Sequence, residues 1–176
     1  MPKHPYSKSI VFFDVETTGL SPTHGHRIIE IGAIAVSRHG STVSEFHSLV
    51  NPGVPISKSA AKVHGITQNM LHGQPAPEEI IPRFQDFIRD SLLVAHNAPF
   101  DLRFLRYEFQ RLRMNLTHPH VCTLEMSRRR CPHLPNHRLE TVHRHLCGQA
   151  ENCGQNHRAL ADARMVAQIW MKMEGR

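Results

Sequence analysis

The chain is organised around residues 10–20, which read IVFFDVETTGL. Residues 10–13 are apolar at every position, which is typical of a strand that is buried on both faces. Asp14 and Glu16 follow two positions apart, so a strand would direct both side chains to the same side. Such a pair is costly unless a cation lies between the two charges, and Mg²⁺ prefers oxygen ligands. On spacing alone, an acidic strand end that faces solvent is an equally good interpretation.

The bulk properties restrict the class of protein. A length of 176 residues is typical of one domain, and a hydrophobic fraction of 40% supplies a core. We expect a flexible leader at 1–9, because this segment lacks the apolar centre of a signal peptide, and a single domain at 10–174. No apolar run is long enough to span a bilayer, which predicts a cytoplasmic protein without membrane contact. The net charge of +6 is compatible with a polyanionic partner and equally with ordinary surface charge.

The order of the elements predicts the fold class. Segments 27–37 and 42–50 are β-rich and flank a predicted hairpin turn at 39–41, so the chain opens with three strands in a row, as antiparallel neighbours. Ser57 and Thr67 are predicted caps of two short helical turns. Pro82, inside a helical pattern, predicts a late helix start or a kink. The remaining predictions are strands at 91–95 and 121–123 and helices at 77–90, from about Pro99, at 124–130, around 139–146 and at 159–173. This order predicts an α/β fold with a mixed central sheet flanked by helices.

Two further acids stand near the ends of predicted elements. Asp101 falls in the first turn of the helix after strand 91–95, where a favourable placement at a helix N-terminus is the alternative. Asp162 falls among small and apolar neighbours in the last helix, where solvent exposure is the alternative to an inward site. His157 precedes Asp162 by five residues, which is about 140° around an ideal helix. The two side chains converge only if His157 lies at the helix entrance.

Together these residues resemble the DEDDh branch of the DEDD exonuclease superfamily, which has a ribonuclease H-like fold. The resemblance is carried by DVETTGL at 14–20, VHGIT at 63–67, HNAPFD at 96–101 and HRALADA at 157–163. It extends over nearly the whole chain and is strongest to proofreading exonucleases of the bacterial DNA polymerase III epsilon type. It implies a ribonuclease H-like mixed sheet with three antiparallel strands followed by strand–helix alternation.

The resemblance also implies an activity. The protein would be a metal-dependent 3′-5′ exonuclease that releases nucleoside 5′-monophosphates from DNA, in proofreading or repair. Asp14, Glu16 and Asp162 would hold one Mg²⁺ or Mn²⁺ ion, and Asp14 would bridge to a second ion that Asp101 assists through water. His157 would accept the proton of the attacking water.

Residues around the acids would bind the terminal nucleotide by the same resemblance. The candidates are Thr17, Thr18, Gly19, Leu20, His64, Asn97 and Phe100. Core packing is the alternative role of Leu20 and Phe100, and His96 is expected to support the site as a polar side chain. Arg103, Arg106 and residues 128–130 are candidates for guiding a strand, although a solvated helix face is the commoner explanation of such residues.

Three other interpretations stay open. An exoribonuclease would carry the same motifs, because the metal ions act on the phosphate. A zinc-binding module would use the histidines and cysteines enriched over 118–153, although their spacing matches no standard finger and the cysteines form no C-x-x-C pair, so we expect reduced thiols. A catalytically inactive nucleic-acid-binding domain is the third.

The expected partner is a single-stranded or frayed 3′ end of DNA, with RNA as the alternative. The chain stops just after the last predicted helix, whereas epsilon subunits carry a tail that tethers them to the polymerase. A polymerase partner is possible, but we expect this chain to have no such tethering tail, and the sequence leaves the oligomeric state open.

Overall fold

A computed structural model describes residues 9–37, 42–148 and 158–175 of the chain. At its centre lies a five-stranded sheet with the order β3-β2-β1-β4-β5. The strands are β1 (Ser9–Thr17), β2 (Ile28–Ser37), β3 (Thr42–Leu49), β4 (Leu92–Ala95) and β5 (His120–Cys122). Strand β2 pairs antiparallel with β1 and β3, whereas β4 pairs parallel with β1 and β5. The predicted α/β fold with a mixed sheet is confirmed.

Helices cover both faces of this sheet. They are α1 (Lys58–His64), α2 (Gln68–Leu71), α3 (Pro77–Ile88), α4 (Ala98–Arg111), α5 (Thr123–Arg130), α6 (Leu139–Cys147) and α7 (Ala159–Glu174). Ser57 and Thr67 accept hydrogen bonds from the N–H groups of Ala60 and Met70, so both predicted caps are confirmed.

Helix α3 corrects one of the two expectations for Pro82. A late helix start is wrong, because α3 begins at Pro77 and contains Pro82 in its interior. The carboxylate of Glu79 accepts a hydrogen bond from the N–H of Ala76, which ties down the helix start at a distance of 3.0 Å. The helix then buries an apolar stripe that includes Phe84. This burial offsets the backbone hydrogen bond that Pro82 cannot donate.

Strand β1 is buried on both faces, as its apolar run predicts. Phe13 packs in a cluster with residues of α3 and α4, and Phe12 packs in a second cluster with residues of α6 and α7. The ring of Phe12 lies edge-on to that of Trp170, with centroids 6.2 Å apart. Because side chains alternate along a strand, Asp14 and Glu16 share the face of Phe12, which α7 covers. The packing of β1 therefore directs both acids towards α7.

A buried ion pair ties the start of β2 to α4. The guanidinium of Arg27 donates two hydrogen bonds to the carboxylate of Glu108, at 2.6 Å and 2.7 Å. Arg27 is 7% exposed and Glu108 is 1% exposed, so water solvates neither charge. Removal of one partner would leave the other buried and unpaired, which costs about 3–5 kcal/mol. This pair fixes α4, and with it Asp101, against the end of the sheet that holds the acids.

Several predictions concern residues outside the described ranges, namely 1–8 of the leader, the turn at 39–41, Cys153 and His157. Ser9, the last residue assigned to the leader, is the first residue of β1. Cys122, Cys131 and Cys147 are free thiols, as expected. Within the described ranges, no helix has both the length and the apolar character needed to cross a membrane.

Candidate active site

Three carboxylates meet where β1 passes beneath the start of α7. Asp14 and Glu16 come from β1, and Asp162 comes from the first turn of α7. One oxygen of each side chain lies within 4.8 Å of the other two. Glu16 is 9% exposed and Asp162 is 8% exposed, so the group is largely shielded from water. The inward alternative for Asp162 is the one that the structure shows.

Asp101 lies behind this group rather than in it. It stands in the first turn of α4, and its Oδ1 accepts a hydrogen bond from the N–H of Val15 at 3.2 Å. The helix follows β4, which runs parallel to β1, so the ends of both strands bring their acids to one edge of the sheet. Asp101 is 2% exposed. It is close enough to raise the pKa of Asp14 by its charge.

Without a bound cation, ionisation of the buried carboxylates is unfavourable, because they are shielded from water and repel one another. Burial raises the pKa of Asp14 well above its usual range, and the charges of Asp101, Glu16 and Asp162 add to this effect. Burial also raises the pKa of Asp101 to about 8, with a further contribution from Asp162. Converging buried carboxylates with raised pKa values fit a hard divalent cation, which would remove the repulsion and displace the protons.

Glycine at position 32 allows α7 to start directly over the sheet. Gly32 lies opposite Asp14 in the pairing of β1 with β2. A Cβ atom at this position would lie 2.1 Å from the backbone nitrogen of Leu160 and 2.2 Å from the carbonyl carbon of Ala159. No side chain fits in that space, because both neighbours are backbone atoms. Gly32 therefore sets how closely α7, and with it Asp162, approaches β1.

A buried glutamate anchors the same helix start. Glu30 of β2 is 0% exposed and accepts hydrogen bonds from the Arg158 guanidinium, at 2.8 Å and 3.0 Å, and from the N–H of Ala159, at 3.1 Å. Nε2 of His47 lies 2.7 Å from Oε1, the same oxygen that receives the two Arg158 hydrogen bonds. Burial opposes the charge of Glu30, yet the hydrogen bonds from Arg158 and His47 hold its pKa below the usual range. The anchor joins β2 and β3 to the first residue of α7.

A pocket of about 520 Å³ opens beside the acids. Its apolar wall includes Leu20, Val63 and Phe100, and its polar lining includes Thr17, His64 and Asn97. Leu20 is 80% exposed and Val63 is 52% exposed, so neither serves the core. An apolar cleft with a few polar groups is the usual form of a small-ligand site, and its walls suit the flat faces of a nucleobase. For Leu20, the core-packing alternative is excluded.

Arg103 fixes one wall of this pocket. Its Nη2 donates a hydrogen bond to the carbonyl of Leu20 at 3.0 Å, and its guanidinium lies 5.7 Å from the centroid of the Phe100 ring. Phe100 also packs against Phe104, so it serves the core and the pocket together. The structure thus gives Arg103 a positioning contact at the pocket wall.

Some of the residues after Glu16 line the pocket, and others direct their side chains into the protein. Thr17 and Gly19 line the pocket, and the Thr17 hydroxyl donates to the Gly19 carbonyl at 2.7 Å. Thr18 does not line it, because its side chain is 0% exposed and accepts a hydrogen bond from the N–H of Arg27. A side chain on Gly19 would overlap the ring of His26. Glycine at this position therefore makes room for His26 beneath the pocket.

The histidines near the site make structural contacts. His64 is 2% exposed, donates from Nε2 to the Thr17 carbonyl at 3.3 Å and accepts at Nδ1 from the N–H of Ile66. His96 donates from Nε2 to the His137 carbonyl at 2.8 Å, and Nδ1 lies 3.0 Å from the Thr123 hydroxyl. Burial lowers the pKa of His96, which favours its neutral form. His96 is polar support, as expected, and His157 lies outside the described ranges.

The enriched histidines and cysteines do not form a second metal group among the described residues, where Asp14, Glu16 and Asp162 are the one such group. Cys122 and Cys131 are buried. The ring of His133 contacts that of His145, and His143 bonds to the amide of Gln168. In the part of the chain that the structure describes, these side chains serve packing and hydrogen bonding.

Sequence reasoning missed four residues that shape this site. Ala60 and Val63 line the pocket from α1, and Glu30 and Gly32 hold α7 from β2. An available signal was the glycine within an otherwise apolar strand, which indicates a close backbone approach. Glu30 also breaks the apolar run of β2, and a charge in such a run requires a partner. Nothing local identifies that partner, because Arg158 is 128 residues away.

Known proteins resemble this chain over nearly its whole length. The family model described as Exonuclease (RNase_T) matches residues 11–170. The DNA polymerase III subunit epsilon of Pasteurella multocida is 36% identical over 173 residues, which cover 94% of this chain and 68% of that protein. The PolC-type DNA polymerase III of Clostridium perfringens is 38% identical over 164 residues, which cover 93% of this chain but only 11% of that polymerase.

One solved structure extends the comparison to three dimensions. It is exonuclease X in complex with 5′ overhanging duplex DNA, and it superposes with a TM-score of 0.75 and 27% identity. The match covers 94% of this chain and 91% of that chain. The resemblance predicted from the motifs, including its likeness to the epsilon subunit, is confirmed.

Proposed function

Since the chain belongs to the exonuclease family, a family of phosphodiester hydrolases, we propose that it is a metal-dependent 3′-5′ exonuclease acting on DNA. It releases nucleoside 5′-monophosphates from single-stranded or frayed 3′ ends, in proofreading or repair. The proposal covers a single exonuclease domain at 10–174. The observation that carries it is the group of three converging carboxylates at the mouth of a pocket with apolar walls.

The acids are the proposed metal ligands. Asp14, Glu16 and Asp162 hold one Mg²⁺ or Mn²⁺ ion, which their spacing within 4.8 Å and their buried, repelling charges support. We assign a second ion to Asp14 and, through water, to Asp101. Divalent ions in this site would neutralise the scissile phosphate and make water a better nucleophile. Without them the acids would repel the substrate.

The pocket is the proposed site of the 3′-terminal nucleotide. Leu20 and Phe100 pack against the base or sugar, and Thr17, Gly19, His64 and Asn97 line the remaining surface. Thr18 contributes indirectly, because its buried hydroxyl accepts a hydrogen bond from the N–H of Arg27 and so stabilises the turn. A pocket that encloses one terminal nucleotide would place its 5′-phosphate, which links it to the preceding nucleotide, at the acids, and this gives 3′-5′ polarity with mononucleotide products.

His157 is the proposed general base. It immediately precedes Arg158, which Glu30 anchors at the entrance of α7. A residue directly before this anchored position would reach the same end of the helix as Asp162. A neutral imidazole there accepts the proton of the attacking water.

DNA is the proposed substrate because the relatives named above are DNA polymerase III chains. The test compares 5′-labelled single strands of DNA and RNA of one sequence, with Mg²⁺, with Mn²⁺ or with EDTA. We expect the DNA to shorten one nucleotide at a time from its 3′ end, with no shortening in EDTA. A 3′-phosphate should slow the reaction, because the pocket is shaped for a terminal nucleoside.

Asp14→Asn is the matching variant, and it should lower turnover by about 100-fold, because it replaces the carboxylate assigned to both ions with a neutral amide. Asp90→Asn makes the same chemical change at an exposed acid after α3 and should leave turnover unchanged. Turnover in excess EDTA would exclude the metal mechanism. Rapid cleavage of a closed circular single strand would indicate an endonuclease, and faster cleavage of RNA would select the exoribonuclease.

A further inference from the structure

A second groove opens on the other side of the acids, and the proposed function leaves it unused. It encloses about 830 Å³ and shares Asp14, Asp162, His96 and Asn97 with the nucleotide pocket. The remaining lining comes from α5, from the start of α6 and from the segment at 131–138 that joins them. A strand whose end lies in the first pocket would therefore pass over the acids into this groove.

The charge of this groove differs from that of the acid group. Arg128 and Arg138 line it, together with the polar side chains of Asn136 and His137. Both arginines are exposed, and neither forms an ion pair with another described residue. Among the described residues that line this groove but not the nucleotide pocket, the one acid is Glu140, which is only partly exposed. Exposed guanidinium groups on a groove that leads to a metal site suit phosphate oxygens.

The side chains of the three consecutive arginines Arg128, Arg129 and Arg130 lie in three different environments. Arg130 donates to the carboxylate of Glu174 at 3.3 Å, and Arg129 lines a separate small pocket with Glu125. Only Arg128 of the three lines the groove. All three side chains are exposed, as a solvated helix face requires, but their surroundings differ.

The wall that carries Arg138 is held in place by hydrogen bonds. The Asn136 side chain accepts from the N–H of Arg138 at 3.1 Å, and Nδ1 of His137 lies 3.0 Å from the Ser127 hydroxyl. The His137 carbonyl accepts from His96, which belongs to the turn before α4. These contacts fix the segment against α5 and β4, so the groove is a built feature with a defined shape.

Resting on the proposed function, we infer that this groove binds the backbone phosphates of the substrate strand 5′ to the scissile bond. Arg128 and Arg138 supply the positive charge, and the acids between the two cavities mark the point of cleavage. The groove makes the protein prefer an oligonucleotide to a mononucleotide ester. It does not select the base, because guanidinium contacts to phosphate carry no sequence information.

The test compares two substrates at several salt concentrations. One is a single-stranded DNA oligonucleotide of ten or so thymidines, and the other is the p-nitrophenyl ester of thymidine 5′-monophosphate, which has no upstream phosphate. The variants are Arg128→Gln with Arg138→Gln, and the control is Arg129→Gln, a neighbour outside the groove. Each phosphate contact to a single strand contributes about 0.7 to the slope of log affinity against log salt.

The double variant should lower kcat/KM for the oligonucleotide and flatten its slope by about 1.4. Between 50 and 200 mM salt, the wild-type value should therefore fall roughly sevenfold more than that of the variant. Both proteins should hydrolyse the nitrophenyl ester equally, which also shows that the variant is folded. The Arg129→Gln control should retain the wild-type slope.

Equal loss on both substrates, or an unchanged slope, would overturn the groove assignment while the exonuclease activity stands. If the wild-type protein cleaves neither substrate, the proposed function itself fails.

Discussion

Replacement of Gly32 by alanine tests how the third acid is delivered to the site. The added methyl group would lie 2.1 Å from the Leu160 nitrogen, which is about 1.3 Å short of an ordinary contact at 3.4 Å. The neighbour is backbone, so no side-chain rotation can relieve the overlap. Either β2 or the start of α7 must move by about that distance, and Asp162 lies two residues beyond Leu160 on the same helix.

The expected effect follows from that displacement. A misplacement of about 1 Å at a reacting centre can lower a rate by 10²-fold, and overpacking of this kind costs about 1–3 kcal/mol of stability. We therefore expect kcat/KM of Gly32→Ala to fall by about 10²-fold at a temperature where the variant is folded. Its affinity for Mn²⁺ should fall as well, because Asp162 no longer closes the group of three carboxylates.

The control is Ala33→Val, one residue along the same strand. Ala33 is 0% exposed and belongs to the core on the opposite face of the sheet, so its enlargement also overpacks the protein. It should lower the free energy of unfolding without displacing α7. The assay combines thermal unfolding, Mn²⁺ titration and turnover of 5′-labelled DNA. Wild-type Mn²⁺ affinity in Gly32→Ala would refute the reasoning, and an equal loss of activity in Ala33→Val would attribute the loss to stability alone.

Three further predictions concern titratable side chains. Glu108→Ala should lower the free energy of unfolding by about 3–5 kcal/mol, because it leaves Arg27 buried and unpaired, and denaturant unfolding measures this loss. In EDTA, the thermal stability of the wild-type protein should fall as pH rises from about 4 to 8, because burial raises the pKa of Asp101 from 3.8 to about 8 and the folded state therefore keeps a proton that the unfolded chain releases. Asp101→Asn should flatten this slope, and added Mn²⁺ should raise Tm more at pH 8 than at pH 6. His157→Ala should lower turnover by about 10²–10⁴ with little change in Mn²⁺ affinity, whereas a large loss of affinity would make His157 a ligand.

Local patterns in the sequence were sufficient for the strands, most helices and the side of β1 on which the acids lie. Alternation along a buried strand places Asp14 and Glu16 together, and a short strand-to-helix connection places Asp101 at the same edge. The orientation of the Thr18 side chain could not be predicted from local patterns. Thr18 lies in the same motif as Thr17, but its hydroxyl turns inward to Arg27, a contact that depends on the path of the following loop.

The features that local patterns did not predict depend on contacts between segments that are distant in the sequence. The two exposed walls of the nucleotide pocket come from the loop after β1 and from α1, and only the folded chain brings Leu20 and Val63 together. The different surroundings of Arg128, Arg129 and Arg130 depend in the same way on distant segments, since Glu174 of α7 receives Arg130 and residues of β5 line the small pocket with Arg129. Sequence periodicity assigns all three arginines to one helix, but it does not assign them to one surface.

The anchor at Glu30 explains why a site already crowded with carboxylates contains one more. Glu30 pairs with Glu16 across β1 and β2, and its charge adds to the forces that raise the pKa of Asp14. For metal binding alone this charge is redundant, yet it is also the group that receives Arg158 and the first N–H of α7. Replacement by glutamine would reduce the repulsion within the site but would weaken the hold on the helix start. The position of Asp162 therefore depends on a charge that the metal site does not itself require.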